Sequence, residues 1–152
     1  MTARALAAPG QGILAADAAT PTLGTRLAQL GLPNEPGLRR EFRETLFTAP
    51  GMGQHISGVI LFDETLRQAA SDGRGMAEIL ESQGVIPGIK VDGGAHSMDG
   101  APDEKLTGGL DGLPGRCAAY YALGARFDKG RAVIRTGRGL PPTPCGPPTA
   151  GR

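Results

Sequence analysis

Residues 84–94 run from an apolar strand into a lysine and an acid, then stop at two glycines, Gly93 and Gly94. Side chains alternate along an extended chain, so Ile86, Gly88 and Lys90 share one face while Ile89 and Val91 share the other. Apolar or small residues on both faces mark a strand buried on both sides. A lysine on such a strand is costly unless it sits at the end, near water or an anion. Taken alone, Lys90 reads as a strand-end lysine reaching solvent. Three further stretches repeat the arrangement. Residues 12–17 place Ile13, Ala15 and Asp17 on one face; residues 56–62 are apolar on both; residues 127–135 place Lys129 and Arg131 on a common face.

The segments between these strands have helical periodicity. Leu23, Leu27 and Leu30 fall at helical spacing and Gly31 closes the run. Pro36 opens a second helix with Leu38, Phe42 and Leu46 on an apolar side, and Arg39, Arg40, Arg43 and Glu44 on a charged side. Asp63 stands where it can cap a turn through Leu66. Met76, Ile79 and Leu80 mark another helix, closed by Gly84, and a last one runs from Leu113 to Leu123, with Cys117 on its apolar side. Residues 93–105 read as a polar loop.

Strand–helix alternation implies a parallel sheet, either doubly wound or a (β/α)8 barrel. The turn after Asp17 has no glycine-rich phosphate loop, and small residues at Ala15 and Gly88 suit a crowded barrel interior. The expected fold is therefore α/β of the TIM-barrel type. Such a barrel needs eight strands and about 250 residues, so residues 1–137 supply about four units, a half barrel. Residues 138–152, rich in proline and glycine, are expected to be a disordered tail.

Composition narrows the function. The 152 residues carry a formal net charge of +1 and 4% aromatic residues, with no basic footprint for nucleic acid. The two cysteines, Cys117 and Cys145, form no disulfide framework, and His55 and His96 lack ligand spacing, so no metal or cofactor is expected. Neither a signal peptide nor a membrane span is legible, and a cytoplasmic protein is expected. Lysine is scarce: Lys90, Lys105 and Lys129 are the only ones, which draws attention to the two on strands. Several cations and one acid converging at a barrel mouth would bind an anionic, phosphorylated small molecule, and the acid would shuttle protons.

Five motifs then carry a resemblance. Residues 12–17, residues 58–66, residues 88–92, residues 109–113 and residues 124–127 followed by Lys129 and Arg131 resemble class I fructose-bisphosphate aldolase, in order and at that family's spacings. The match covers about residues 8–137. It implies a glycolytic lyase that cleaves fructose 1,6-bisphosphate into dihydroxyacetone phosphate and glyceraldehyde 3-phosphate through a lysine Schiff base, without a cofactor and as a homo-oligomer. It gives Asp17 a part in breaking the carbon–carbon bond and Lys129 a part in charge and proton transfer. Lys90 and Arg131 would bind substrate, and Arg26 would meet a substrate phosphate.

The chain departs from the family pattern at Ala18 and Ala19, where an acid and a serine are usual. Thr25 stands in place of a basic residue, Asp128 in place of a small one, and Gly130 in place of a tryptophan. No lysine here matches the Schiff-base position, so the 152-residue chain is expected to be inactive alone. A reading-frame shift past Leu140 would explain the proline-rich end. The alternatives are a non-catalytic fragment, a half barrel that pairs with a second copy, and another Schiff-base phosphosugar aldolase.

Overall fold

In the computed structural model the described residues are 2–98 and 101–139, with side chains described except at 101–103. They divide into two compact units. The first takes the residues up to Val91 together with Gly112–Lys129; the second takes Asp92–Asp111 and the described residues from Gly130 on.

The first unit is a parallel sheet with helices. Its strands are β1 (Gly12–Ala16), β2 (Ile56–Leu61), β3 (Ile86–Lys90) and, numbered after the hairpin described below, β6 (Phe127–Lys129). They lie in the order β1-β2-β3-β6, each pairing parallel with its sequence neighbour in the sheet. A doubly wound sheet reverses its order at a switch point; these four strands do not. The helices are α1 (Thr2–Leu6), α2 (Thr20–Gln29), α3 (Pro36–Phe47), α4 (Met52–His55), α5 (Asp63–Leu66), α6 (Met76–Glu81) and α7 (Leu113–Ala122).

One face of the sheet builds the core. Ala16, Val59, Leu61, Ile89 and Val91 pack with Phe47, Met52, Leu66, Met76, Leu80 and Tyr120 from the helices. Fully burying such side chains contributes about 1.5–3 kcal/mol each. Gly124 turns the chain out of α7 at φ +102°, and a Cβ there would lie 2.9 Å from the Ala77 Cβ, so both backbone and packing demand glycine.

The other face holds Ile13, Ala15, Gly58, Ile60, Gly88 and Phe127. Register sets Ala15, Ile60, Gly88 and Phe127 in one row. The Phe127 ring occupies the space a Gly88 Cβ would need, at 2.3 Å, and Leu6 of α1 comes as close, 2.4 Å, to the equivalent point on Gly58. The two glycines therefore let large side chains lie flat across this face.

Several expectations require correction. The α3 amphipathicity is inverted: Arg39 and Arg43 are buried while Phe42 and Leu46 are 37% and 36% exposed. The reason is a half-buried acid partner, Glu64. Leu30 is exposed at the end of α2. Asp63 is the first residue of α5, which has no side-chain cap, and it pairs instead with Arg67 at 3.0 Å. That hydrogen bond holds the Asp63 carboxyl below its ordinary range.

The last strand ends at Lys129, so Arg131 does not share a strand face with it. Gly130 follows directly, with no side chain to pack on either face of a sheet. The expected loop over residues 93–105 is largely an antiparallel hairpin, β4 (Ala95–Met98) with β5 (Ala101–Thr107), inside the second unit. Its polar strands offer little apolar alternation for a sequence reading to detect. The expected tail begins at Arg138, and its residues 140–152 lie outside the described residues.

Candidate active site

The carboxyl ends of the four strands carry the charged groups. Asp17 follows β1 and is 9% exposed. Extending the register by one residue puts Asp17, Phe62, Lys90 and Lys129 in one row, on the face of Ala15 and Gly88. Lys90 and Lys129 are direct register partners on neighbouring strands, a like-charge pairing that disfavours the sheet unless an anion offsets it.

Lys129 Nζ donates to Asp17 Oδ2 at 2.7 Å across 112 residues of chain. β1 and β6 are the two edges of the sheet. In a flat sheet those edges lie about 14 Å apart, three inter-strand spacings, farther than a lysine and an aspartate side chain together reach. The contact therefore requires a sheet that curls toward this face. The curl gathers the strand-end charges. Charge-assisted bonds of this length are about twice as strong as neutral ones, although the Lys129 side chain keeps 36% exposure.

Behind Asp17 lies a network that the sequence reading missed. Glu64, just past β2, receives a two-pronged bond from Arg39: Nε to Oε2 at 2.9 Å and Nη2 to Oε1 at 2.5 Å. Arg39 also donates from Nη1 to the Asn34 carbonyl and side-chain oxygens, at 2.9 and 2.8 Å. The Arg39 bond holds the Glu64 carboxyl below the usual range, against the opposing effect of burial. Arg43, 1% exposed, places Nη1 3.8 Å from Glu64 Oε2 and donates from Nη2 to the Ala18 carbonyl at 2.5 Å. Its guanidinium lies over the Phe62 ring at 5.7 Å. Burial pulls Arg43 below the ordinary arginine value; Glu64 and Asp17 oppose that shift and Arg39 adds to it. The available signal was the i, i+4 spacing of Arg39 and Arg43, a stripe as regular as the apolar one.

Arg26 is exposed on α2 and, with Arg43, lines a cavity of about 170 Å³ walled by Leu14, Ala18, Leu23 and Phe42. Arg131 belongs to the second unit, where its backbone N–H donates to Asp92 Oδ2 at 3.2 Å and its carbonyl accepts the Thr107 hydroxyl at 2.7 Å. The structure thus brings Asp17 and Lys129 into contact and sets Lys90 abreast of Lys129. Among the described residues no group of three or more histidine, cysteine or acidic side chains is arranged to hold a metal ion. Nor is any helix there long and apolar enough to cross a membrane.

A parallel sheet with helices is an α/β fold, and the charged groups here collect at the carboxyl ends of the strands, the edge where such folds bind small molecules. The class I fructose-bisphosphate aldolase family model matches residues 1–145. The chain belongs to that family. It is 51% identical over 144 residues to a probable class 1 fructose-bisphosphate aldolase of Xanthomonas axonopodis pv. citri, covering 95% of this chain and 43% of the relative. It is 52% identical over 133 residues to the cytoplasmic isozyme of Cicer arietinum, covering 88% of this chain and 37% of that one. A solved fructose-bisphosphate aldolase of Plasmodium falciparum, in complex with TRAP and a small-molecule inhibitor, superposes with a TM-score of 0.85 at 46% identity. That likeness covers 88% of this chain and 38% of the other. The chain spans about two fifths of the length of these relatives.

Proposed function

We propose that this chain carries the amino-terminal share of a class I aldolase site that acts on fructose 1,6-bisphosphate, with its four strands forming half of a (β/α)8 barrel. The observation that carries this reading is the Lys129–Asp17 pair, 2.7 Å long, at the carboxyl ends of the strands. Asp17 is the group that moves a proton as the carbon–carbon bond breaks, because it is an acid held against a cation and mostly shielded from water. Lys129 offsets charge on substrate hydroxyls, and Lys90 beside it binds the same anionic sugar. Arg26 meets a phosphate, and Arg131 keeps the substrate-binding role that the family pattern gives it. Counting Asp17, Glu64, Arg26, Arg39, Arg43, Lys90 and Lys129, cations outnumber acids five to two, which suits a doubly phosphorylated ligand. A cytosolic, homo-oligomeric protein belongs to the same reading.

The chain alone forms no Schiff base in this account. Lys129 gives its ammonium to Asp17, and a protonated, ion-paired amine is no nucleophile. Borohydride reduction in the presence of dihydroxyacetone phosphate, read by mass spectrometry, is expected to give no adduct. In parallel, fructose 1,6-bisphosphate is expected to protect Lys90 and Lys129 from amine acylation relative to Lys105. An adduct on Lys90 or Lys129 would assign covalent chemistry to this chain. Equal acylation with and without the sugar would remove the substrate assignment.

A further inference from the structure

We propose that Arg43 is a positioning residue for Asp17. Its Nη2 bond to the Ala18 carbonyl, 2.5 Å long, fixes the turn that leaves β1 and so aims the Asp17 carboxylate at Lys129. This inference rests on the reading that makes Asp17 and Lys129 part of the site.

On α3, burying Phe42 and Leu46 in place of two arginines would remove apolar area from water without desolvating charge. The helix instead turns Arg43 inward, where Nη1 is buried with no hydrogen-bond partner. An unsatisfied buried donor destabilises the fold, because it gives up its water without gaining a partner. The placement joins two strand ends: the guanidinium touches the backbone one residue after Asp17, the Phe62 ring one residue after β2, and Glu64 two residues further on. Phe62 and Asp17 fall in the same register row. Arg43 therefore ties β1 to β2 at the rung that carries the acid. Arg39 makes this possible by anchoring Glu64 at two oxygens, which leaves Arg43 free to bond the backbone. A lysine has neither the planar fork nor the reach to touch both partners.

The test reads the Asp17–Lys129 contact without any sugar. With only three lysines in the chain, reductive methylation with ¹³C-labelled formaldehyde gives three lysine signals that variants can assign. Asp17→Asn sets the position of a Lys129 signal that has lost its carboxylate. Arg43→Met is expected to move the Lys129 signal at least half of that distance, with Lys105 unmoved. Arg43→Lys, which keeps the charge, is expected to move it less and in the same direction. A folded Arg43→Met chain with Lys129 unmoved overturns the proposal; if that variant does not fold, an unmoved Lys129 in Arg43→Lys does so. If neither variant folds, the wild-type chain decides. Separate, slowly exchanging Arg43 Nη protons support the bond to Ala18, and averaged ones overturn it. Because no sugar is present, failure here leaves the aldolase reading standing, and a failed sugar-protection experiment leaves this geometry standing.

Discussion

α2 and α3 are helices of similar length and similar sequence pattern, each opening with a proline in its first turn and lacking a side-chain cap. Each shows an apolar stripe and a polar one. Yet α2 buries Leu23 and Leu27, 1% and 2% exposed, whereas α3 buries Arg39 and Arg43 beside Phe47 and leaves Phe42 and Leu46 more than a third exposed. Periodicity states that a helix has two unlike faces; it does not state which face meets the protein. That choice depends on what waits opposite. Facing α3 is Glu64, a carboxylate just past β2, and its pairing with Arg39 and Arg43, together with Phe47 buried on the same side, turns that side of the helix inward.

The largest effect is expected from Leu27→Ala on α2, a loss of about 3 kcal/mol in the urea unfolding midpoint converted to free energy. A loss below about 1 kcal/mol would mean that α2 does not bury its apolar stripe as described. Glu64→Gln should cost about 2 kcal/mol, below the range for a fully buried pair because Glu64 retains some exposure. If α3 turned its apolar side inward instead, this change would be nearly silent.

Acid should act on the same network more weakly. The folded Glu64 carboxyl sits below its ordinary value, chiefly through Arg39, so the folded state binds its proton less readily than the unfolded chain does. Its contribution is present in full above the unfolded range near about 4.3 and is lost as pH falls through the depressed folded value. A stability profile should lose on the order of 1 kcal/mol across that window, and the Glu64→Gln variant should lose correspondingly less. The smallest effect belongs to Phe42→Ser, expected within about 0.5 kcal/mol of the parent chain. A large loss there would show Phe42 to be a core residue.

Much of this was legible in the sequence. Short strands apolar on both faces, alternating with helical segments, gave a parallel α/β sheet, and the strand-end positions of Asp17, Lys90 and Lys129 marked where charge would collect. What was not legible was tertiary. Asp17 and Lys129 lie 112 residues apart, and only sheet curvature brings them together. The inward turn of Arg43 depends on Glu64 and on a backbone carbonyl, neither of which leaves a periodic trace. Gly130 did leave one: a glycine inside a supposed strand was the sign that the strand ends at Lys129. The β4–β5 hairpin, with Ala95, Met98 and Leu106 scattered among polar residues, carried no comparable mark.

The curl of the sheet, the site and the role given to Arg43 all depend on Asp17 meeting Lys129. Zero-length carbodiimide coupling of the folded chain, followed by peptide mapping, tests it directly, because that reagent joins a carboxylate to an amine only when the two touch. The expected product is an isopeptide bond between Asp17 and Lys129, lost in Asp17→Asn. A folded chain in which Lys129 stays unlinked, or couples to a different acid, would contradict the account.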